Sequence, residues 1–370
     1  MSIKEIFCQD KAVGILQRAF AADKVPHAYI FAGAEGVGKF KTAREWAKLL
    51  LCEKPVTEKD YSDSCQFCES CRLVEAGSHP DFNHIYKELV QFTEKGKGKT
   101  TPVDMPIDVI REFLIAKVST RPTVSGRKVF IVNEAERLNA SSQNALLKVL
   151  EEPPEYCCII LLCTRLEKLL PTTKSRCQIV RFSPVEETRI IDKLKEIGLG
   201  KIQAQFFARL AQGSLGRACE WAQLELSGAK LYDAKKEIVQ SLTRCNLPDA
   251  LELAQRLCDK TRAIAAIWSD INKNISKTDV NRRTAKTLIQ IIISALHDAM
   301  TLNLMGAEKI INFDQNEQIQ ILAERFEPEQ TAREIDNACR TMQRIDSSVN
   351  EKLIFEQLLL NFADSDRISL

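Results

Sequence analysis

The chain has almost no net charge. Its 52 basic and 50 acidic residues leave a formal +2, so no global attraction to nucleic acid follows, and any such contact must rest on a local patch or on partners. No apolar segment opens the sequence: MSIKEIFCQDK is charged early, which argues against a secretory signal. The longest apolar run, Cys157 to Cys163, falls far short of the roughly 20 residues of a membrane span. No internal repeat or low-complexity tract stands out. Only Glu94–Thr101 (EKGKGKTT) is biased; it reads as a solvated loop tip, with a phosphate-contacting loop as the alternative. What is present is ordinary for a soluble protein: 370 residues, 45% hydrophobic and 28% charged, enough for two or three domains with real cores. Thirteen cysteines without a secretory signal point to the reducing cytoplasm, where clustered cysteines mean metal or catalysis more often than disulfides.

A further absence lies inside a motif. Gly33-Ala34-Glu35-Gly36-Val37-Gly38-Lys39-Phe40 follows G-x-x-x-x-G-K-[S/T], whose backbone N–H groups cradle phosphates, whose Lys reaches the terminal phosphates and whose hydroxyl holds Mg²⁺. The hydroxyl is missing: Phe40 cannot ligate a metal, and Glu35 puts a negative charge inside an anion cradle. The scaffold is that of a nucleotide hydrolase, poorly equipped to hydrolyse.

Strand and helix signals alternate through the first half, which predicts a parallel sheet covered by helices. His27–Gly33 reads as a strand ending in the glycine loop, and Lys39–Cys52 as the helix it opens. Asp81–Lys87, Lys128–Asn133, Cys157–Thr164 and Gln178–Phe182 read as further strands. Pro106–Val118 carries a helical period, and Ser141–Glu151 is a helix stopped by Pro153-Pro154. From Val185 onward only helical periodicity is found. The broad apolar face of Glu351–Phe362, with Leu353, Ile354, Leu358 and Leu359, suits a bundle core or an oligomer interface.

Cys52, Cys65, Cys68 and Cys71 are spaced C-x12-C-x2-C-x2-C. Two consecutive C-x2-C steps bring thiolates together in a tight turn, and Cys52 can complete a tetrahedron, as in a closed structural Zn²⁺ site; four reduced thiols that merely lie near one another are the alternative. His79 is a poorer ligand candidate because of its distance in sequence. The other nine cysteines are scattered and read as core fillers. Strand Lys128–Asn133 runs into Asn133-Glu134, where phosphate-loop NTPases place an Asp for Mg²⁺ and, in some families, a Glu that polarises water. Here the charge at the first position is gone and Glu134 remains. Thr164, at the end of the following strand, could sense a terminal phosphate or cap the next turn.

Together, HAYIFAGAEGVGK, the four-cysteine insertion, ASSQNALLKVLEEPPE and LLPTTKSRC resemble the clamp-loader subunits of the bacterial DNA polymerase III holoenzyme. These are AAA+ proteins that open a ring-shaped sliding clamp and place it on primed DNA. The likeness covers roughly residues 3–220; the C-terminal third matches only in being helical. Motor subunits (gamma/tau) carry GKT or GKS and an acidic DE pair at the strand end; the delta-prime branch has degenerate versions of both. This chain has GKF and NE. Motor subunits also place an Arg fourth in a motif resembling G-S-x-R. Here Gly216 stands there and Arg217 is one place late, a turn of about 100° on a helix.

The resemblance therefore implies the delta-prime branch. It implies an AAA+ RecA-like parallel-sheet domain (1–183) with a zinc module near 52–72, a small helical lid (184–228) and an all-α collar (229–370). It implies that Arg176, in Ser175-Arg176-Cys177, is an arginine finger acting on a neighbour's nucleotide. Gly33, Gly36, Gly38, Lys39, Glu134 and Thr164 would form a degenerate nucleotide site where ATP and Mg²⁺ are held weakly or not at all. Implied partners are the motor and delta subunits, the sliding clamp and, through the complex, primed DNA, with no membrane and a cytoplasmic address. Two other readings compete. One is an active motor ATPase that holds Mg²⁺ through other residues. The other is a zinc-containing nucleic-acid-binding module acting through the cysteine knuckle and the Lys95–Lys99 loop.

Overall fold

The computed structural model describes residues 2–58, 61–96, 102, 104–272, 275–305, 310–345 and 350–364. Most of the Lys95–Lys99 loop lies outside them. The chain forms two compact units, Met1–Val185 and Glu186–Leu370.

The strands of the first unit are β1 (Ala28–Ala32), β2 (Val56–Glu58), β3 (Tyr61–Asp63), β4 (Phe82–Ile85), β5 (Lys128–Val132), β6 (Cys157–Cys163) and β7 (Gln178–Arg181). Five of them make a parallel sheet in the order β4-β5-β6-β1-β7. β1, β5 and β6 are buried at every position, because a parallel sheet covered on both faces leaves no polar side. Alternate residues feed opposite cores. Tyr29, Phe31, Ile131 and Ile160 join one cluster with Trp46, while Ala28, Ile30, Phe130 and Ile159 join the other with Leu114 and Leu146. The register sets Ala32 beside Cys163 and Val132 beside Leu161. The chain therefore leaves β1, β5 and β6 along one edge, the carboxyl edge where open α/β sheets bind ligands.

The expected strand at Asp81–Lys87 is shorter, because Asp81 turns its buried carboxylate to the N–H groups of Thr123, Val124 and Ser125, and a 3-10 turn begins at Lys87. The helix expected over Pro106–Val118 is present over 107–118, with a π segment at Ile110–Ile115. The antiparallel pair β2–β3, inside the four-cysteine insertion, has no sequence signal strong enough to find it.

The second unit has only helices among its described residues. Glu187–Glu196, Lys201–Ala211 and Leu215–Leu224 pack on one another. After Gly228, at φ 86°, come Leu231–Leu242 and the long helices Leu247–Ile271 and Lys277–Met305, followed by Asn316–Arg325, Pro328–Arg344 and Glu351–Asp364. Residues 277–304 are long and apolar enough to cross a membrane by length and composition, yet that helix packs on five others in this unit. Glu351–Asp364 buries Ile354, Phe355, Leu358, Leu359 and Phe362 against Leu247–Ile271. Leu353, read above as part of that apolar face, is 57% exposed.

Candidate functional site

At the end of β1 the backbone is built for the glycine loop. A Cβ on Gly33 would lie 2.7 Å from the Phe182 carbonyl oxygen and 2.9 Å from the Phe182 Cβ, so β7 approaches too closely for any side chain. Gly36 and Gly38 sit at φ 74° and 101°, left-handed values that favour glycine. Lys39 opens the helix Lys39–Leu51 and is buried. Its ammonium donates to the carbonyls of Gly33 and Ala34, both at 2.6 Å. Burial lowers its pKa, opposed by the nearby charges of Glu136 and Glu35. The lysine thus closes onto its own loop.

Where a hydroxyl would hold Mg²⁺, Phe40 stacks on His84, 4.6 Å between ring centres, and His84 stacks on Tyr86 at 4.9 Å. Burial drives the His84 pKa down to about 4, against a smaller upward pull from Asn133. A neutral aromatic ladder and an amide occupy the ground that a cation and its carboxylate would need.

Glu134 has φ 49° and pairs with Arg137 at 2.9 Å and with Lys87 at 3.7 Å. The carboxylate that reaches Thr164 belongs instead to Glu136. It accepts a bond from the Thr164 N–H at 3.2 Å and another from its hydroxyl. Sequence reasoning passed over Glu136. The positive φ at Glu134 sends its side chain toward Arg137, and the 3-10 turn Ala135–Arg137 carries Glu136 to β6; nothing in NEAE announces that turn.

Arg176 follows the short helix Pro171–Lys174, anchored through Gln143, whose amide oxygen accepts the Leu170 N–H at 2.8 Å. Its guanidinium is 34% exposed and pairs with Glu151 at 2.7 Å, while donating to the Thr172 carbonyl at 3.0 Å. In the second unit, Arg217 hydrogen-bonds to Gln290 and lies over the Trp221 ring. The residue one place past the sensor position is therefore engaged within its own helical unit.

The four cysteines converge. Cys52 ends the loop helix, and Cys68 caps Glu69–Glu75. All four sulfurs lie within 4.8 Å of one another, with Cys52–Cys68 and Cys65–Cys71 each at 3.9 Å. Tetrahedral Zn²⁺ at about 2.3 Å from each sulfur needs edges of about 3.8 Å. Backbone N–H groups of Cys65, Cys68 and Cys71 point at the sulfurs of Cys52, Cys65 and Cys68, which is how thiolates are stabilised. Burial raises the Cys65 thiol, but the N–H donors of Phe67 and Cys68 and the neighbouring thiols outweigh it and bring the pKa to about 7; burial holds Cys52 up near 11. The donor set fits a metal such as zinc. His79 stands apart from it, accepting the Asp81 N–H at Nδ1 and meeting Ser125 Oγ at Nε2. Of the other nine cysteines, five are buried as core fillers and Cys8, Cys177, Cys219 and Cys339 are partly exposed.

Two family models match this chain: "DNA polymerase III, delta subunit" over residues 8–186 and "DNA polymerase III, delta subunit, C terminal" over 248–364. The DNA polymerase III subunit delta' of Bacillus subtilis strain 168 is 23% identical over 357 residues, spanning 95% of both chains. That of Escherichia coli K12 is 26% identical over 348 residues, 93% of this chain and 91% of that one. The chain belongs to the delta-prime family of DNA polymerase III subunits. Its likeness to tau/gamma relatives is partial: the DNA polymerase III subunit tau of Bacillus subtilis strain 168 is 33% identical over 292 residues, 72% of this chain but 48% of that protein. A solved gamma-subunit-related protein from Thermotoga maritima is 19% identical, covers 95% of this chain and 99% of that chain, and superposes with a TM-score of 0.48.

Proposed function

We propose that this chain is a rigid, non-hydrolysing member of a clamp loader that completes a neighbour's nucleotide site through Arg176. The observation that carries the reading is the contrast between the two edges of the sheet: the loop lies at the carboxyl edge, whereas Arg176 precedes β7 at the opposite edge, where Gln178 pairs with Tyr29. Phe40, Asn133 and Lys39 are turned to self-contacts, whereas the Arg176 guanidinium stays partly exposed. Its pairing with Glu151 is a surface ion pair, worth at most about 1 kcal/mol. A guanidinium supplied in trans can contribute about 10³-fold or more to phosphoryl transfer, so the local pair is a weak competitor.

On this reading the partners are motor subunits of the gamma/tau type and a delta subunit. Together with them the chain acts on the sliding clamp and primed DNA in the cytoplasm. The four cysteines hold one structural Zn²⁺. Residues 184–228 serve as the lid and residues 229–370 as the collar. The active-motor alternative is disfavoured by Phe40, which has no ligand atom for Mg²⁺, and by Asn133, which lacks the charge of a carboxylate.

The test is the reconstituted complex. Arg176→Ala should assemble normally, yet lower clamp- and DNA-stimulated ATP turnover and clamp loading. Arg176→Lys should rescue poorly, because Lys lacks the planar fork. Arg176→Ala complexes that load clamps at wild-type rates across limiting ATP would overturn the trans role.

A further inference from the structure

We propose that Glu136 takes the place of a terminal phosphate at Thr164, beside the phosphate loop, and so keeps polyphosphate out of a cradle whose backbone is intact. The inference rests on the non-hydrolysing reading above and supplies its cause.

The geometry has three parts. First, the cradle itself is preserved: Gly33 is pressed against Phe182, and Gly36 and Gly38 hold left-handed turns. Degeneration has touched the side chains, not the path of the loop. Second, the loop and the end of β6 are one locality, since the Gly33 N–H donates to the Cys163 carbonyl at 3.1 Å. At the next residue, both the N–H and the hydroxyl of Thr164 donate to Glu136. A side chain that could report on a terminal phosphate already has its anion. Third, the loop's own cation is spoken for. The Lys39 ammonium is buried, bonded to two loop carbonyls, and feels the charges of Glu136 and Glu35.

Around the loop, one ammonium feels two carboxylates, with no hydroxyl at Phe40 and no carboxylate at Asn133. Arg137 and Lys87, the next cations along, are paired with Glu134. A nucleoside triphosphate or pyrophosphate would bring several more negative charges into a locality already negative. It would also have to displace Glu136 from Thr164. The same carboxylate accepts from the Thr164 N–H and hydroxyl, as a phosphate oxygen would.

The experiment measures anion binding by calorimetry on the full chain at low salt, with pyrophosphate and with ATP, each with and without Mg²⁺. Thermal melting and zinc content monitor the fold. The wild-type chain should show no saturable binding up to millimolar ligand. Glu136→Ala combined with Glu35→Gln should bind pyrophosphate at least about tenfold more tightly, as expected when two like charges leave a partly shielded site. Adding Lys39→Ala should abolish the gain. Glu136→Gln keeps an acceptor for the Thr164 hydroxyl and removes only the charge; it should give a smaller gain in the same direction, and it covers the case in which the alanine variant misfolds. A folded Glu136→Gln or Glu136→Ala/Glu35→Gln protein that binds no better than wild type overturns the proposal, as does micromolar ATP binding by the wild type. Neither result bears on Arg176, which is read from turnover of the assembled complex. Conversely, ATP turnover by the isolated wild-type chain would overturn the non-hydrolysing reading itself.

Discussion

The four-cysteine module and the phosphate loop sit at opposite ends of one helix, Lys39–Leu51, and have opposite fates. At its C-terminal end, Cys52 joins three other sulfurs at tetrahedral spacing, with N–H donors aimed at them. At its N-terminal end, the backbone of an anion site survives while Lys39, Phe40 and Glu136 satisfy one another or their neighbours. A structural metal would need all four sulfurs, and that end keeps all four. A phosphate loop can lose its chemistry and keep its shape, because the shape is set by glycine φ angles and by packing against Phe182. The helix between the two ends is clamped to the cysteine module. Lys48, almost fully buried, bridges Glu45 at 2.7 Å and Glu75 at 2.8 Å, and Glu75 lies on the helix that Cys68 caps.

The sharpest break in this comparison would come from the metal. Removing Zn²⁺ with a chelator, or replacing Cys71 by Ala, should melt β2–β3 and Glu69–Glu75, since structural zinc carries about 10 kcal/mol or more of folding free energy in small zinc modules. Hydrogen exchange should show loss of protection there and retention in β1, β5 and β6. Metal analysis should give about one zinc per chain for a closed four-sulfur site. Metal-free protein with an unchanged exchange pattern would remove the contrast between the two ends.

Next in size is the clamp. Lys48→Met leaves the buried Glu45 with only the longer Arg44 contact at 3.3 Å, and breaking a buried pair from one side costs up to about 3 kcal/mol. Urea unfolding should show that loss, with Glu75→Gln costing less because the Glu75 side chain is 48% exposed.

A third effect depends on pH. His84 titrates near 4 in the folded chain, against an ordinary value of 6.5. The unfolded chain therefore takes up its proton first as pH falls. Stability from the neutral ring is full above about pH 6.5 and is lost on the way down toward pH 4, on the order of 3 kcal/mol in all. His84→Phe, which retains a ring between Phe40 and Tyr86, should flatten that limb of an acid-denaturation profile.

The smallest expected effect is a null that still discriminates. Phe40→Thr restores a hydroxyl but not the acidic residue missing at Asn133, so the isolated chain should still not turn over ATP. Measurable hydrolysis would show that the loop is closer to its motor relatives than its contacts suggest.

Much of this was legible in the residues. A short unbroken apolar run such as CCIILLC reads as a strand covered on both faces, and the paired C-x2-C steps foretell a four-sulfur cluster that could hold a metal. The departures at Phe40 and Asn133 can be read without coordinates, since a phenyl ring and an amide cannot do the work of a hydroxyl and a carboxylate toward Mg²⁺. Glu134 shows where such reading stops: it is the obvious carboxylate in NEAE, yet its left-handed backbone sends it to Arg137.

The sequence by itself determined the sheet, the helical second half, the cysteine site and the missing metal ligands, because each follows from periodicity or from the chemistry of single residue types. Tertiary structure alone decided which carboxylate meets Thr164, that Lys39 folds onto its own loop, that Phe40 finds His84, and that Lys48 ties the cysteine module to the loop helix. Those outcomes depend on turns of one or two residues and on strands distant in sequence brought edge to edge by register. A 3-10 turn at Ala135–Arg137 exchanges one glutamate for another at no cost that composition or periodicity records.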